Sequence, residues 1–128
     1  MNKVRFVLSW HDYYNAEQFL WRQQEIFSIP LIRRMRLKRR WDREPLLRAE
    51  HAVQFSTEGI HYVLDDIESN LDWNYYKAWA ESPDGFLLIS FEDVFNYIPK
   101  RAISDEAQQS QLRTLLTSQL RHNLTASH

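Results

Sequence analysis

Two hydrophobic periods alternate along the chain and divide it into helical and extended stretches. Residues 3–8 (KVRFVL) read as a short strand. Ser9 follows as a helix N-cap, with Asp12 three residues on to answer it. From Trp10 to about Glu25 the apolar positions Tyr13, Ala16 and Leu20, with Phe19 and Trp21 on an adjoining row, keep a 3.6-residue period. That spacing predicts an amphipathic helix. Pro30 breaks the pattern. Between residues 31 and 50, Leu31, Met35 and Leu37 alternate with cations until Pro45 interrupts again. The expectation there is a basic helical turn or two followed by an irregular link.

From residue 51 the texture becomes that of strands. The stretch HAVQFSTEGIHYVLDD has two alternating runs around Thr57-Glu58-Gly59, and glycine suits the positive φ of a tight hairpin. A second hairpin is predicted at AWAESPDGFLLIS, where Pro83-Asp84-Gly85 combines a preset φ, a turn-forming Asp and a permissive Gly. Trp73, Tyr75 or Tyr76, and Trp79 place bulky rings just before it. A third strand pair surrounds Glu92-Asp93 and leads into VFNYIP, where Pro99, lacking an amide proton, belongs at a strand end or sheet edge. Ser104 is expected to cap a last helix with Asp105 and Glu106 in its first turn and Leu112, Leu115, Leu116 and Leu120 as its buried stripe. The tail after His122 is expected to fray. The order β-α-basic link-β hairpins-α predicts an α+β fold with a mostly antiparallel sheet and a C-terminal helix packed on it.

Length and composition narrow this further. A chain of 128 residues reads as one domain, and 44% hydrophobic with 14% aromatic residues is enough for a core. No cysteine means no disulfide and no thiolate metal site. The longest uncharged runs, IFSIPLI and FLLISF, are far shorter than the roughly 20 apolar residues of a membrane span. The N-terminus has no signal-peptide pattern. A soluble, cytoplasmic protein without a transmembrane segment is expected. The 18 aromatic residues (five Trp, six Tyr, seven Phe) form either a ring-built core or, in part, an exposed interface, and self-association as a homodimer is one expectation.

Four stretches carry a family resemblance, in order: FSTEGI; SNLDWNYYKAWAES; GFLLISF; and NYIPKRAISDEAQQSQLRTLL. Together they resemble the C-terminal domain of the YcxB-like family of bacterial proteins, and the first 24 residues are similar to that family's N-terminal strand and helix. The resemblance implies a small sheet-plus-helix module similar to pleckstrin-homology-like folds, and it implies no reaction. Family members commonly carry two membrane spans between the N-terminal helix and the C-terminal domain. Here that place holds SIPLIRRMRLKRRWDREPLLRAEH, which cannot span a bilayer. On this reading the single domain divides into residues 1–25 (strand and helix), 26–50 (a basic linker in place of the spans) and 51–121 (the YcxB-like region).

Charge supplies the main candidate site. Arg33, Arg34, Arg36, Lys38, Arg39, Arg40 and Arg43 stand against Asp42 alone, a local +6 in a chain of net charge −1. Such a patch suits an anionic membrane surface, an acidic protein partner or, as the lesser alternative, nucleic-acid phosphates. Trp41 is then a candidate for a bilayer interface or for stacking on a base. The competing expectation is structural: the cations fold against Asp65, Asp66, Glu68 and Asp72, or against a second subunit, or remain from lost membrane spans. Lys100 and Arg101 are a second candidate anion pair. The plainer reading makes their segment a strand-to-helix corner, with both cations solvated or paired with Asp105 or Glu106.

The remaining chemistry is thin. Asp65-Asp66-Ile67-Glu68 lacks the spacing of a calcium loop and is expected to crown a hairpin or pair with the arginines. His11, His51, His61, His122 and His128 form no H-E-x-x-H or i, i+4 pair. No serine lies in a G-x-S-x-G elbow, and two glycines cannot build a phosphate loop. The sequence therefore predicts a non-enzymatic binding or scaffold module, with no cofactor, no metal and no catalytic set.

Overall fold

The computed structural model describes residues 3–24, 30–91, 95–103 and 105–124. Its strands form two antiparallel sheets. The first has four strands in sequence order: β1 (Val4–Val7), β2 (Glu50–Ser56), β3 (Gly59–Leu64) and β4 (Ile67–Leu71). The second has three: β5 (Tyr76–Glu81), β6 (Gly85–Ser90) and β7 (Phe95–Pro99). Three helices accompany them, α1 (Trp10–Gln24), α2 (Pro30–Arg43) and α3 (Glu106–Gln119). This is the α+β, mostly antiparallel architecture that the alternating runs predict.

The first sheet buries one face by simple alternation. Val4 and Phe6 point inward while Arg5 and Val7 do not, and Val53 and Phe55 pair across with Tyr62 and Ile60. Gly59 opens β3 because a side chain there would collide with backbone: a Cβ would lie 2.5 Å from the Leu71 carbonyl oxygen of β4. The β3–β4 turn is Asp65-Asp66, with Asp65 at φ 58, a left-handed position that Asp tolerates better than most residues. The acidic pair thus crowns a hairpin, as expected. Strand β4 itself went unpredicted, since IESNL has no apolar alternation to announce it.

The second sheet is buried on both faces, and all six residues of β6 are buried. Pro99 ends β7 on the sheet's outer strand, where its missing amide removes no ladder bond. Helix α1 covers β7, with the Tyr13 ring stacked on Phe95 at 5.6 Å between centroids. Ser9 caps α1 reciprocally: its Oγ accepts from the Asp12 amide at 3.1 Å, and Asp12 Oδ2 accepts from the Ser9 amide at 2.8 Å.

Helix α2 packs on α1 and on a 3₁₀ turn at Pro45–Arg48. The predicted short basic turn and irregular link are corrected here to a 14-residue helix. Pro30 stands at its first position, where a missing amide costs nothing, so it starts the helix and does not break it. Leu37 and Trp41, four residues apart, are both buried against the core.

Helix α3 buries Leu112 and Leu116, and Leu120 follows as its C-cap. Its N-cap is Asp105, which accepts from the Ala107 amide at 2.9 Å; the predicted cap, Ser104, lies outside the described residues, as does the turn at Glu92-Asp93. Beyond α3, Asn123 and Leu124 lie along β5, and the rest of the tail, 125–128, falls outside the described residues. Trp79 of β5 donates to the His122 carbonyl and accepts from the Leu124 amide, both at 2.9 Å.

A buried polar chain joins the sheets. His51 and Tyr62 of the first sheet share a short hydrogen bond, the Tyr62 hydroxyl meets Asn96 of β7, and Tyr76 of β5 donates to Asn96 at 2.8 Å. Burial pushes the hydroxyls of Tyr62 and Tyr76 well above the ordinary range.

Candidate functional site

The basic segment is a helix surface. Arg34, Arg36, Lys38, Arg39, Arg40 and Arg43 are all exposed on α2, while the side chain of Arg33 lies outside the described residues. Two of these cations are answered locally, Lys38 by Asp42 at 3.2 Å and Arg40 by Glu44 at 3.6 Å, both at i, i+4 spacing. Two lean on α1: Arg34 lies over the Tyr14 ring at 5.5 Å and Lys38 over Trp10 at 5.1 Å. Arg36, Arg39 and Arg43 make no ion pair among the described residues. At i, i+3 and i+7 they share one stripe about 10 Å long, given a rise of about 1.5 Å per residue. Met35 sits beside them with 56% of its surface exposed, unusual for a residue of its size and apolarity.

Trp41 is not part of this surface. It is 6% exposed, packed 6.2 Å from the Trp10 ring and 5.6 Å from Tyr13. The expectation that it stacks on a base or lies in a bilayer interface is corrected by that burial. It holds the helix down and turns the arginines outward. The expected contacts between the arginines and Asp65, Asp66, Glu68 and Asp72 are also not made among the described residues; Glu68 instead meets His61 at 3.1 Å.

Lys100 and Arg101 are engaged, though by other partners than Asp105 and Glu106. They lie in a 3₁₀ turn, Lys100–Ala102, between β7 and α3. Arg101 donates to both oxygens of Asp12, at 2.6 and 2.7 Å, and to the Val7 carbonyl at 2.9 Å. This bidentate pair ties α1 to the β7–α3 corner and, with the Ser9 bonds, holds the Asp12 carboxyl below its usual range despite burial. Lys100 meets Glu81 at 2.8 Å, and Arg113 of α3 meets the same carboxylate at 2.7 and 2.8 Å. Hydrogen bonding to Arg113 and then Lys100 holds Glu81 at about 2. Both cations also lie over Phe86, at 5.5 and 5.9 Å. The segment is a strand-to-helix corner whose charges are already committed.

The histidines serve local structure. His51 is buried, stacked on Phe6 at 5.0 Å, and burial lowers its pKa. His61 bonds Asn70 at 2.8 Å as well as Glu68, and His11 meets Asn15 at 2.9 Å. Among the described residues no group of three or more His, Asp or Glu could hold a metal ion. Shallow depressions mark the described surface, and one of about 540 Å³ lies on α2 itself, between Arg34, Met35, Lys38, Arg39, Asp42 and Arg43. Another of about 550 Å³ lies over Gln54, Glu58, His61, Asn70 and Asp72. Two of about 400 and 290 Å³ share Asn15, Pro83, Asp84 and Tyr97 beside α1. The hydroxyl at the depression over Gln54 and Glu58, that of Ser56, is spent on the Gly59 carbonyl at 3.2 Å.

Comparison with protein families gives a match. Residues 55–116 fit the model of a family described as YcxB-like protein. They run from the end of β2 into α3 and so include all four resembling stretches. No curated protein and no solved structure matches the chain. Among the described residues no helix is long and apolar enough to cross a membrane.

Proposed function

Residues 55–116 fit the YcxB-like family model, and from that match we propose that the chain is a YcxB-like, non-enzymatic binding module that docks on an anionic membrane surface through α2. The observation that carries the reading is the stripe of Arg36, Arg39 and Arg43, exposed and without an ion-pair partner among the described residues. The location of α2 supports it too. It occupies the place where the family resemblance leads one to expect membrane spans, so a surface helix replaces a spanning pair. The four-plus-three strands with a C-terminal helix suit a pleckstrin-homology-like scaffold that presents such a surface rigidly.

Magnitudes make the contact reversible. Each Lys or Arg near an anionic leaflet contributes about 1 kcal/mol, so Arg34, Arg36, Arg39 and Arg43 together contribute about 4 kcal/mol. Screening over a length of about 8 Å at physiological salt keeps the carboxylates elsewhere on the molecule from cancelling that attraction. Lys38 and Arg40 add less because Asp42 and Glu44 already answer them. With Trp41 buried, nucleic acid loses its stacking ring, and phosphate attraction alone favours no particular base.

The test is the triple variant R36E/R39E/R43E. These side chains are exposed, so urea unfolding should match the parent within about 0.5 kcal/mol. Co-sedimentation with phosphatidylserine-containing vesicles should be lost. A folded variant that still sediments like the parent would contradict the proposal.

A further inference from the structure

The cations of α2 have a counterpart elsewhere on the same molecule. Between residues 49 and 76 the chain has no Lys or Arg, but it has Glu50, Glu58, Asp65, Asp66, Glu68 and Asp72. All six are exposed, on β2–β4 and the turns and loop that adjoin these strands. Glu50 is answered by Arg5 at 3.6 Å and Glu68 by His61. Asp72 accepts from the Asn74 amide at 3.0 Å, which leaves its charge uncompensated. Glu58, Asp65 and Asp66 make no ion pair among the described residues. The molecule thus carries a basic and an acidic surface, and no ion pair joins them among the described residues.

We infer that the arginine stripe of α2 docks on the acidic β2–β4 surface of a second copy of this chain. The inference rests on the same reading of α2 as an anion-seeking helix, and it identifies a protein surface that competes with the membrane for that helix. Charge complementarity selects the occupant: the stripe is cationic and the β2–β4 surface has no Lys or Arg of its own to repel it. Shape agrees. The depression that Glu58 and Asp72 line, about 550 Å³, offers two carboxylates to long arginine side chains. Apolar surface agrees as well, since Ile67, 51% exposed beside Asp66, can meet Met35, 56% exposed beside the stripe. The two surfaces differ, so a reciprocal pair closes as a dimer and a one-way contact continues head to tail. Either form sequesters the arginines, so copies bound to one another release the membrane.

The experiment is molar mass by light scattering at high micromolar concentration, with the salt varied. At low salt the parent should exceed one chain, and at about 1 M salt, where the screening length is about 3 Å, it should return to one chain. The variants R36E/R39E/R43E and E58K/D66K/E68K should each be one chain alone. Their equimolar mixture should associate again, because each then presents what the other lacks. Asp65 is left in place because of its left-handed backbone. A parent that stays one chain at low salt overturns the inference, and so does either variant associating alone. If that monomeric parent still sediments with anionic vesicles, only self-docking fails; if it does neither, the membrane reading fails with it. Should a variant misfold, the parent's salt dependence still decides.

Discussion

At the residue scale, long-range carboxylate pairs hold the corners together. Asp12 and Arg101 are 89 residues apart in sequence and share two hydrogen bonds. Arg101→Ala leaves a nearly buried carboxylate with only its Ser9 partners, and should cost about 1–3 kcal/mol in urea unfolding. On the acid side of the stability profile, His51 and Glu81 act alongside Asp12, whose carboxyl is also held low. His51 is kept neutral by burial, below its ordinary 6.5, so the unfolded chain binds the extra proton and stability falls as pH drops from about 6.5. Glu81 has the carboxylate form of the same sign. Its stabilising pairs are intact above 4.5 and are lost as pH falls from there toward about 2. Unfolding free energies measured across this range should decline in both windows, and His51→Gln should flatten the upper one alone. An upper step unchanged in that variant would assign it to another group. The capping of α1 by Ser9 was legible because both partners lie within one turn. The partners of Lys100 and Arg101 were not, because nothing local distinguishes Glu81 and Asp12 from nearer carboxylates.

At the element scale, α2 shows how a strongly polar stretch becomes a helix. Its propensity comes from Arg, Lys, Leu and Met, and its anchorage from Leu37 and Trp41. Read by linear alternation, Leu31, Met35 and Leu37 suggest a short irregular piece. Read at i, i+4, Leu37 and Trp41 separate cleanly from Arg36, Arg39 and Arg43, and that spacing was the signal available in the sequence. Trp41→Ala should cost about 3–5 kcal/mol, or detach α2 while the sheets persist. Circular dichroism that loses helix signal without loss of the main unfolding transition would indicate detachment. The hairpins were legible from turn residues, and Gly59 is the stringent one. Gly59→Ala forces β3 and β4 apart at the Leu71 carbonyl and should destabilise by about 1–3 kcal/mol, again in urea. Strand β4 was illegible because an outer strand with one exposed polar face carries little period-two signal.

At the scale of the whole molecule, the layering decides what is offered to a partner. The two sheets share the core and the polar chain from His51 to Tyr76, α1 covers the second sheet, and α2 lies on α1. The class of fold was legible from the order of periodic stretches. What the inner side of the basic segment packs on was not, since that depends on the α1 rings beneath it. The same layering keeps the core intact under charge reversal of α2, so binding and stability should separate experimentally. The most direct test of the membrane proposal is co-sedimentation of the unmodified protein with anionic and with neutral vesicles at near-physiological salt. The account predicts sedimentation with anionic vesicles only, and release when salt is raised. A protein that remains in the supernatant with both vesicles, or that sediments equally with both, would contradict it.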